Sequence, residues 1–448
     1  MYTKRIVTHV VTITYLISLI IIYFTFPFFS VIVQNQNLIR LRYEVNDGFV
    51  GSLRHVIYIK NPTSRKVMNG TLFVPIIRNE TARHYVILHN ISSSMEQPTI
   101  LNDSSGNKYV CWRNIIIDEK QTLTIEMNYY LISFSTRYLV NSSLMVDYDT
   151  SSNLYKKYTQ PEELIQSNDL QIILMMENIT SNESNVHEKV SKIYNFVTKH
   201  IRYAKQDKEK GALWALENGV GDCSEYSYLF VALCRAAGIP ARVQAGFAFR
   251  SLGETLEDGH MWAEYYLENY GWIPVDTTWR LFDALDQRHF SAIQSIPEPI
   301  PYGNYAFNNT LGPKPVDEQT VLLQSLSPSA FREKRLIENT FETVRKIGQA
   351  RSTLFLARVF GTAVIFSLEA EKSEQTLLGS QIKLQNAVDS WEAFPQLAQS
   401  DVAEALERAE EALQRTWTLI VKTFILYVGV PALIMAITFI FLKRQQTK

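Results

Sequence analysis

The chain has three cysteines, Cys111, Cys223 and Cys234, too few for a disulfide-built scaffold, and the odd count leaves one unpaired. Cys223 and Cys234 fall about three helical turns apart, roughly 16 Å at ~1.5 Å per residue, so one helix cannot bridge them. An excess of charge of one sign is also missing. The formal net charge is −1, from 44 basic and 45 acidic residues. That removes the electrostatic ground for a nucleic-acid partner. The eight histidines show no H-x-H or H-E-x-x-H pairing and the cysteines no C-x-x-C. Metal-ligand spacing is therefore absent, and no cofactor is expected.

Long apolar runs, by contrast, stand near both ends. Residues 6–33 exceed the ~20 residues that cross a bilayer, and Lys4 and Arg5 precede them. The run is longer than the ~7–15 apolar residues of a signal peptide and ends in bulky side chains, so an uncleaved anchor is expected. A second span is expected over 418–442, its apolar part at 423–442, followed by Lys443, Arg444 and Lys448. Positive flanks favour the cytoplasm, so both termini read as inside and 35–417 as outside a cell membrane. Asn-x-Ser/Thr acceptors at Asn69, Asn79, Asn90, Asn102, Asn141, Asn178, Asn182 and Asn308 fit a glycosylated outer surface.

The length suggests more than one domain. Residues 38–150 carry short β-branched and aromatic runs such as "RHVIYIK", "GTLFVPII" and "TLTIEMNYYLI", separated by polar turns. A β-sandwich is expected there. Helical periodicity starts at Val186, with Val190, Ile193, Tyr194, Val197 and Ile201 on one face. The Pro-, Gly- and Asn-rich stretch 293–316 reads as a linker. From 317 to 417 helix formers predominate, which suggests a helical hairpin or stalk. In this region a helix should end near Phe394 and Pro395, and Asp401 is placed to cap the next. Val402, Leu406, Ala409, Leu413 and Thr416 or Trp417 form a short seam. No break separates that seam from the second span, so one helix of ~40 residues is plausible.

The chemistry concentrates in "GVGDCSEYSYLFVALCRAAGIPARVQAGF" (219–247). Asp222 and Glu225 form a capping box, and Gly238 with Ile239-Pro240 ends the helix. Cys223 then lies in the first turn, where free backbone N–H groups and the helix dipole favour an anion. For a thiol, the anion is the form that attacks carbonyl carbon. Cys234, mid-helix among apolar neighbours, and Cys111, beside Trp112, read as core residues. A thiolate nucleophile needs a base and an orienting group. In "GHMWAEYYLENYGWIPVDTTW" (259–279), His260 opens one strand and Asp276 closes the next. The two ends of an antiparallel hairpin bring these side chains together. Glu225 and Glu264 are expected in capping and solvent-facing roles.

These segments, with "IRYA" before them, resemble the transglutaminase-like superfamily, membrane-anchored prokaryotic type, over about 160–292. The resemblance implies an α+β fold with a papain-like core, nucleophile Cys223, base His260 and orienting acid Asp276. The β-rich segment resembles the sandwich that often precedes this core. The Cys223 backbone N–H would be one oxyanion donor; Tyr203 and Trp214 could add to it but are expected to be core aromatics. The implied function is acyl transfer from peptide or glutamine amides at the cell surface. Hydrolysis is expected over cross-linking, because "RSLGETLEDG" before His260 is short and polar and builds no site to orient an amine. The alternative is a non-catalytic binding or assembly module. Oligomers through the stalk are compatible with either.

Overall fold

A computed structural model describes residues 41–142, 145–295, 305–308 and 310–446. The expected span at 6–33 lies outside them. The chain divides into two compact units, Arg42–Phe341 with Val388–Pro395, and a second that contains Glu342–Ala387 and Gln396–Lys448.

The first unit begins with strands β1 (Tyr43–Lys60), β2 (Val67–Pro75), β3 (His84–Ser93), β4 (Thr99–Asn102), β5 (Lys108–Ile117) and β6 (Thr122–Tyr138). Alternate side chains along them, including Leu53, Ile57, Leu72, Val110, Ile125 and Met127, are buried in one shared core. Strands from far downstream complete the sheets. One is ordered β10-β17-β1-β6-β14, with β3 also on β6; the other is β16-β2-β5-β4. The added strands are β10 (Thr255–Leu256), β14 (Ala284–Leu285), β16 (Ala306–Asn308) and β17 (Val316–Ser325).

β17 corrects the expected helical start at 317. It pairs with β1 from Gly51↔Ser325 to Lys60↔Val316. Glu, Gln and Leu favour helix by intrinsic propensity, but Val321 and Leu323 recur with period two and are buried. That pattern, satisfied by a long partner strand, outweighs propensity. The first long helix after it, Lys334–Val359, starts 17 positions later than 317 suggests.

Between these strands lies a second layer. Helices α1 (Asn153–Tyr158), α2 (Leu170–Thr180), α3 (Val186–His200), α4 (Ala212–Asn218) and α5 (Cys223–Ala236) pack with an antiparallel sheet. Its order is β13-β12-β11-β9-β15, from β9 (Ala241–Ala248), β11 (His260–Leu267), β12 (Gly271–Asp276), β13 (Leu281–Phe282) and β15 (His289–Gln294). Short parallel strands β7 (Arg202–Tyr203) and β8 (Val220–Gly221) flank the start of α5. α3 buries Val190, Ile193 and Val197, the face its periodicity indicates. Helix α5 is buried at every position from Glu225 to Arg235. An ordinary amphipathic helix hides one stripe; this one is enclosed all round.

The second unit holds most of three long helices, α6 (Lys334–Val359), α8 (Ser367–Ser390) and α9 (Pro395–Phe424), with α7 (Thr362–Ile365) a short turn between the first two. Three long helices, rather than the two of a hairpin, thus make up the region expected as a helical hairpin or stalk. Ion pairs link them: Arg358–Glu374 at 2.6 Å, Lys346–Glu410 at 3.1 Å and Lys383–Asp401 at 2.9 Å. Asp401 is accordingly no cap. α9 starts at Pro395, whose missing N–H costs nothing at a first helical position. The buried seam is Ala398, Val402, Ala405, Ala409, Ala412, Thr416, Leu419 and Thr423. It runs through the small residues rather than Leu406, Leu413 and Trp417, and it is longer than expected. The helix continues unbroken by chain direction, through a π turn at Ile425–Gly429, into α10 (Val430–Gln446). Pro395–Lys443 is long and apolar enough to cross a membrane.

Candidate functional site

Cys223 begins α5, and its placement is built locally. The Asp222 carboxylate accepts from Ser224 N at 3.0 Å, and the Glu225 carboxylate accepts from Asp222 N at 3.1 Å and Lys210 N at 2.8 Å. Glu225 is fully buried in this capping role. Gly221 makes the close turn possible, because a Cβ there would lie 2.3 Å from the Glu225 Cβ. The Cys223 thiol is partly exposed, whereas Cys111 and Cys234 are buried. Burial in apolar surroundings pushes the Cys234 thiol far up, as expected of an inert core cysteine.

The β11–β12 hairpin supplies the next two groups. Its register pairs Ala263 with Val275. Extending that register sets Asp276 level with Trp262, diagonal to His260 on the same sheet face. The His260 Nε2 lies 2.7 Å from Asp276 Oδ2. With Nε2 so engaged, Nδ1 is the nitrogen left for the Cys223 thiol, which lies near enough to act on the imidazole. Burial disfavours the imidazolium. The Asp276 charge and hydrogen bond, then the neighbouring Cys223, outweigh it and raise the His260 pKa to about 9. Burial would raise the Asp276 pKa, but hydrogen bonds and charge from His260 and from His289, on β15, hold it well below the ordinary carboxylate value. Asp276 is fully buried, and its Oδ1 accepts from Thr278 N and Trp279 N, both at 2.8 Å. Four donors thus fix one carboxylate.

Two participants have no local sequence signal. The Trp279 ring lies 5.5 Å from the His260 ring, closing one side of it. His289, on β15 and fully buried, places Nε2 3.2 Å from Asp276 Oδ2 and Nδ1 2.8 Å from Asp286 Oδ1. Only the sheet brings it there. β15 pairs with β9, and the close approach requires Gly246, where a Cβ would lie 2.0 Å from the Phe290 carbonyl oxygen. His260, Asp276 and His289 offer metal-type donor atoms within 4.8 Å of one another. Both histidine nitrogens, however, direct N–H bonds at the same carboxylate oxygen, so the group is a hydrogen-bond chain.

Of the other sequence candidates, Tyr203 is exposed on β7 and lies near enough for the Cys223 charge, after burial, to raise its pKa. The Trp214 ring sits under the Lys210 ammonium at 5.8 Å. Among the described residues it has no hydrogen bond or ring contact with Cys223 or His260. Glu264 is not solvent-facing. It is buried, accepting from Arg242 at 2.8 Å, Gln244 at 2.7 Å and Arg83 at 3.2 Å. Its arginine partners come from β9 and the sandwich, which strand periodicity alone does not reveal.

A thiol at a helix N-terminus, an imidazole against it and a buried carboxylate behind is an arrangement suited to nucleophilic acyl transfer. Residues 175–277 match the family model of the transglutaminase-like superfamily, so the chain carries a transglutaminase-like core. Similar curated proteins include the uncharacterized protein YebA of Bacillus subtilis, 26% identical over 22% of this chain and 16% of its own. An uncharacterized Haemophilus influenzae protein is 29% identical over 27% of this chain and 43% of its own. A protein-glutamine gamma-glutamyltransferase of Pseudomonas aeruginosa is 37% identical over 14% of this chain and 10% of its own. The chain therefore spans less than half the length of each. Among solved structures, a candidate cysteine protease from Cytophaga hutchinsonii is 17% identical, over 63% of this chain and 93% of that one, with a TM-score of 0.48. The periplasmic domain of TgpA from Pseudomonas aeruginosa, bound to ethylmercury, is 14% identical over 54% of this chain and 92% of that one, at 0.28.

Proposed function

We propose that this chain is a membrane-anchored, extracytoplasmic thiol enzyme that breaks peptide or glutamine amide bonds through a Cys223 thioester. The observation that carries the reading is the linked Cys223–His260–Asp276 set, with a partly exposed thiol at one end and a buried carboxylate at the other. The Cys223 thiolate adds to the amide carbonyl carbon. As the C–N bond breaks, the His260 imidazolium gives its proton to the departing amine or ammonia. Water then adds to the thioester, His260 takes a proton from it, and the C–S bond breaks to release a carboxylic acid. Asp276 keeps Nε2 of His260 protonated, so that Nδ1 does the proton transfer.

Hydrolysis is the favoured outcome. An amine competes with about 55 M water only where a site orients it and excludes solvent. Here the segment before His260 is short, and its Thr255–Leu256 strand is held on the sandwich sheet by β17. The apolar helix at Pro395–Lys443 supports the membrane anchor. The test is incubation of the full chain, in detergent, with a peptide library and a labelled primary amine, read by mass spectrometry. Cleavage or deamidation that depends on Cys223 is expected to exceed amine incorporation. Incorporation in excess would make the protein a cross-linker. No Cys223-dependent product of any kind would leave a binding module.

A further inference from the structure

The functional reading uses Asp276 as the group behind His260, yet Asp276 has a second, fully buried histidine on the same oxygen. Both ring nitrogens of His289 face carboxylates, Asp276 at 3.2 Å and Asp286 at 2.8 Å. An ionised carboxylate only accepts, so both contacts are hydrogen bonds only if both ring nitrogens carry protons. A neutral tautomer would turn one nitrogen lone pair toward a carboxylate oxygen.

The other surroundings of His289 are fixed. The Trp262 and Trp279 rings meet it edge-on at 5.4 Å and 4.7 Å, and the His260 ring lies 5.7 Å away. The neighbouring strand β9 presents Ala248 and Phe247, which carry no charge. The Arg288 guanidinium lies 3.3 Å from the other oxygen of Asp286. The charged groups around the ring are therefore Asp276, Asp286, His260 and, beyond Asp286, Arg288.

We propose that His289 is a positioning residue: as a fixed double donor between Asp286 and Asp276, it locks the Asp276 carboxylate and takes part of its negative charge. Asp276 then holds the His260 proton less tightly than an unshared carboxylate would. His260 remains able to give that balance up during each proton transfer, because the proton on Nδ1 is not over-stabilised. Burial opposes charge on His289, but its bonds to Asp276 and Asp286 raise its pKa above the ordinary histidine value, in keeping with this arrangement.

The inference rests on Cys223 and His260 forming a reacting pair, and one experiment separates the two ideas. The rate of iodoacetamide alkylation of Cys223 in the full chain is followed against pH. A coupled thiol–imidazole pair gives an upper inflection that follows the imidazole. In the wild type it is expected near pH 9, the His260 value, and it should vanish in His260→Ala. With an effective dielectric constant near 20, a unit charge across 5.7 Å corresponds to about two pH units, and Asp286 is present in wild type and variant alike, so its own effect cancels. His289→Phe should therefore move the upper inflection upward by about two pH units. His289→Gln keeps an N–H donor toward Asp276 but drops the same charge, and should move it up by a comparable amount. If His289→Phe does not fold, as judged by thermal melting, His289→Gln decides alone. A lower melting temperature with an unmoved inflection would assign His289 to packing and overturn the inference alone. An unchanged profile in His260→Ala would overturn the reacting pair and this inference with it.

Discussion

Replacing Asp276 by Asn tests how much the buried carboxylate contributes. Asp276 accepts four hydrogen bonds, from Thr278 N, Trp279 N, His260 and His289. In either orientation an Asn side chain turns its NH2 toward two of those donors, in a site that is fully buried. The His260 pKa of about 9, against ~6.5 for an ordinary imidazole, corresponds to about 3 kcal/mol favouring its charged form in the fold. A raised pKa stabilises the fold fully below the unfolded value and loses that stabilisation as pH rises through the folded value. The wild type should thus exceed Asp276→Asn in stability most below about pH 6.5, with the gap narrowing as pH rises from there and this contribution gone above about 9. At ~2–4 °C per kcal/mol for a unit of this size, the narrowing is roughly 6–12 °C in melting temperature. Thermal melts of both proteins at intervals from about pH 6 to 10 span the window set by those two values. Amide cleavage by the variant should fall by about 10³-fold or more, since His260 is released to the wrong tautomer. A stability gap that stays constant across this pH range would show that Asp276 acts by packing and hydrogen-bond geometry, and would refute the charge argument.

Iodoacetamide at about pH 6, where activated thiols react and ordinary ones do not, should label Cys223 far faster than the buried Cys111 and Cys234, and His260→Ala should slow it; equal labelling of all three would count against a nucleophilic Cys223. Gly221→Ala places a Cβ 2.3 Å from Glu225 and should cost about 1–3 kcal/mol by urea denaturation, together with slower Cys223 alkylation; an unchanged midpoint would mean the capping turn yields easily. Glu264→Gln leaves Arg83 and Arg242 without their shared carboxylate and should destabilise by about 3 kcal/mol or more. External protease on intact cells should digest the region between the apolar runs and leave both termini protected; an N-terminus starting after residue 33 would replace the first anchor with a cleaved leader.

Much of the candidate site is encoded within short windows of sequence. The capping box at Asp222 and Glu225, the helix-ending Gly238 and the strands bearing His260 and Asp276 each depend on neighbours a few residues away. Backbone periodicity and capping chemistry act at that range, so Cys223, His260 and Asp276 were legible together. α3 was legible for the same reason. Tertiary structure decided what depends on pairing between distant segments. β17 had helix-forming composition but became a strand because β1 offered a full-length partner. Glu264 had a strand's alternating position but gained Arg83 from the sandwich and Arg242 from the adjacent β9. The seam of α9 used alanines because close helix packing rewards small side chains, which a search for large apolar residues overlooks. His289 needed β15 laid on β9 across Gly246 before its ring could reach Asp276. Local hydrogen bonding selects each element, but burial and charge pairing depend on which elements meet, and only the folded chain specifies that.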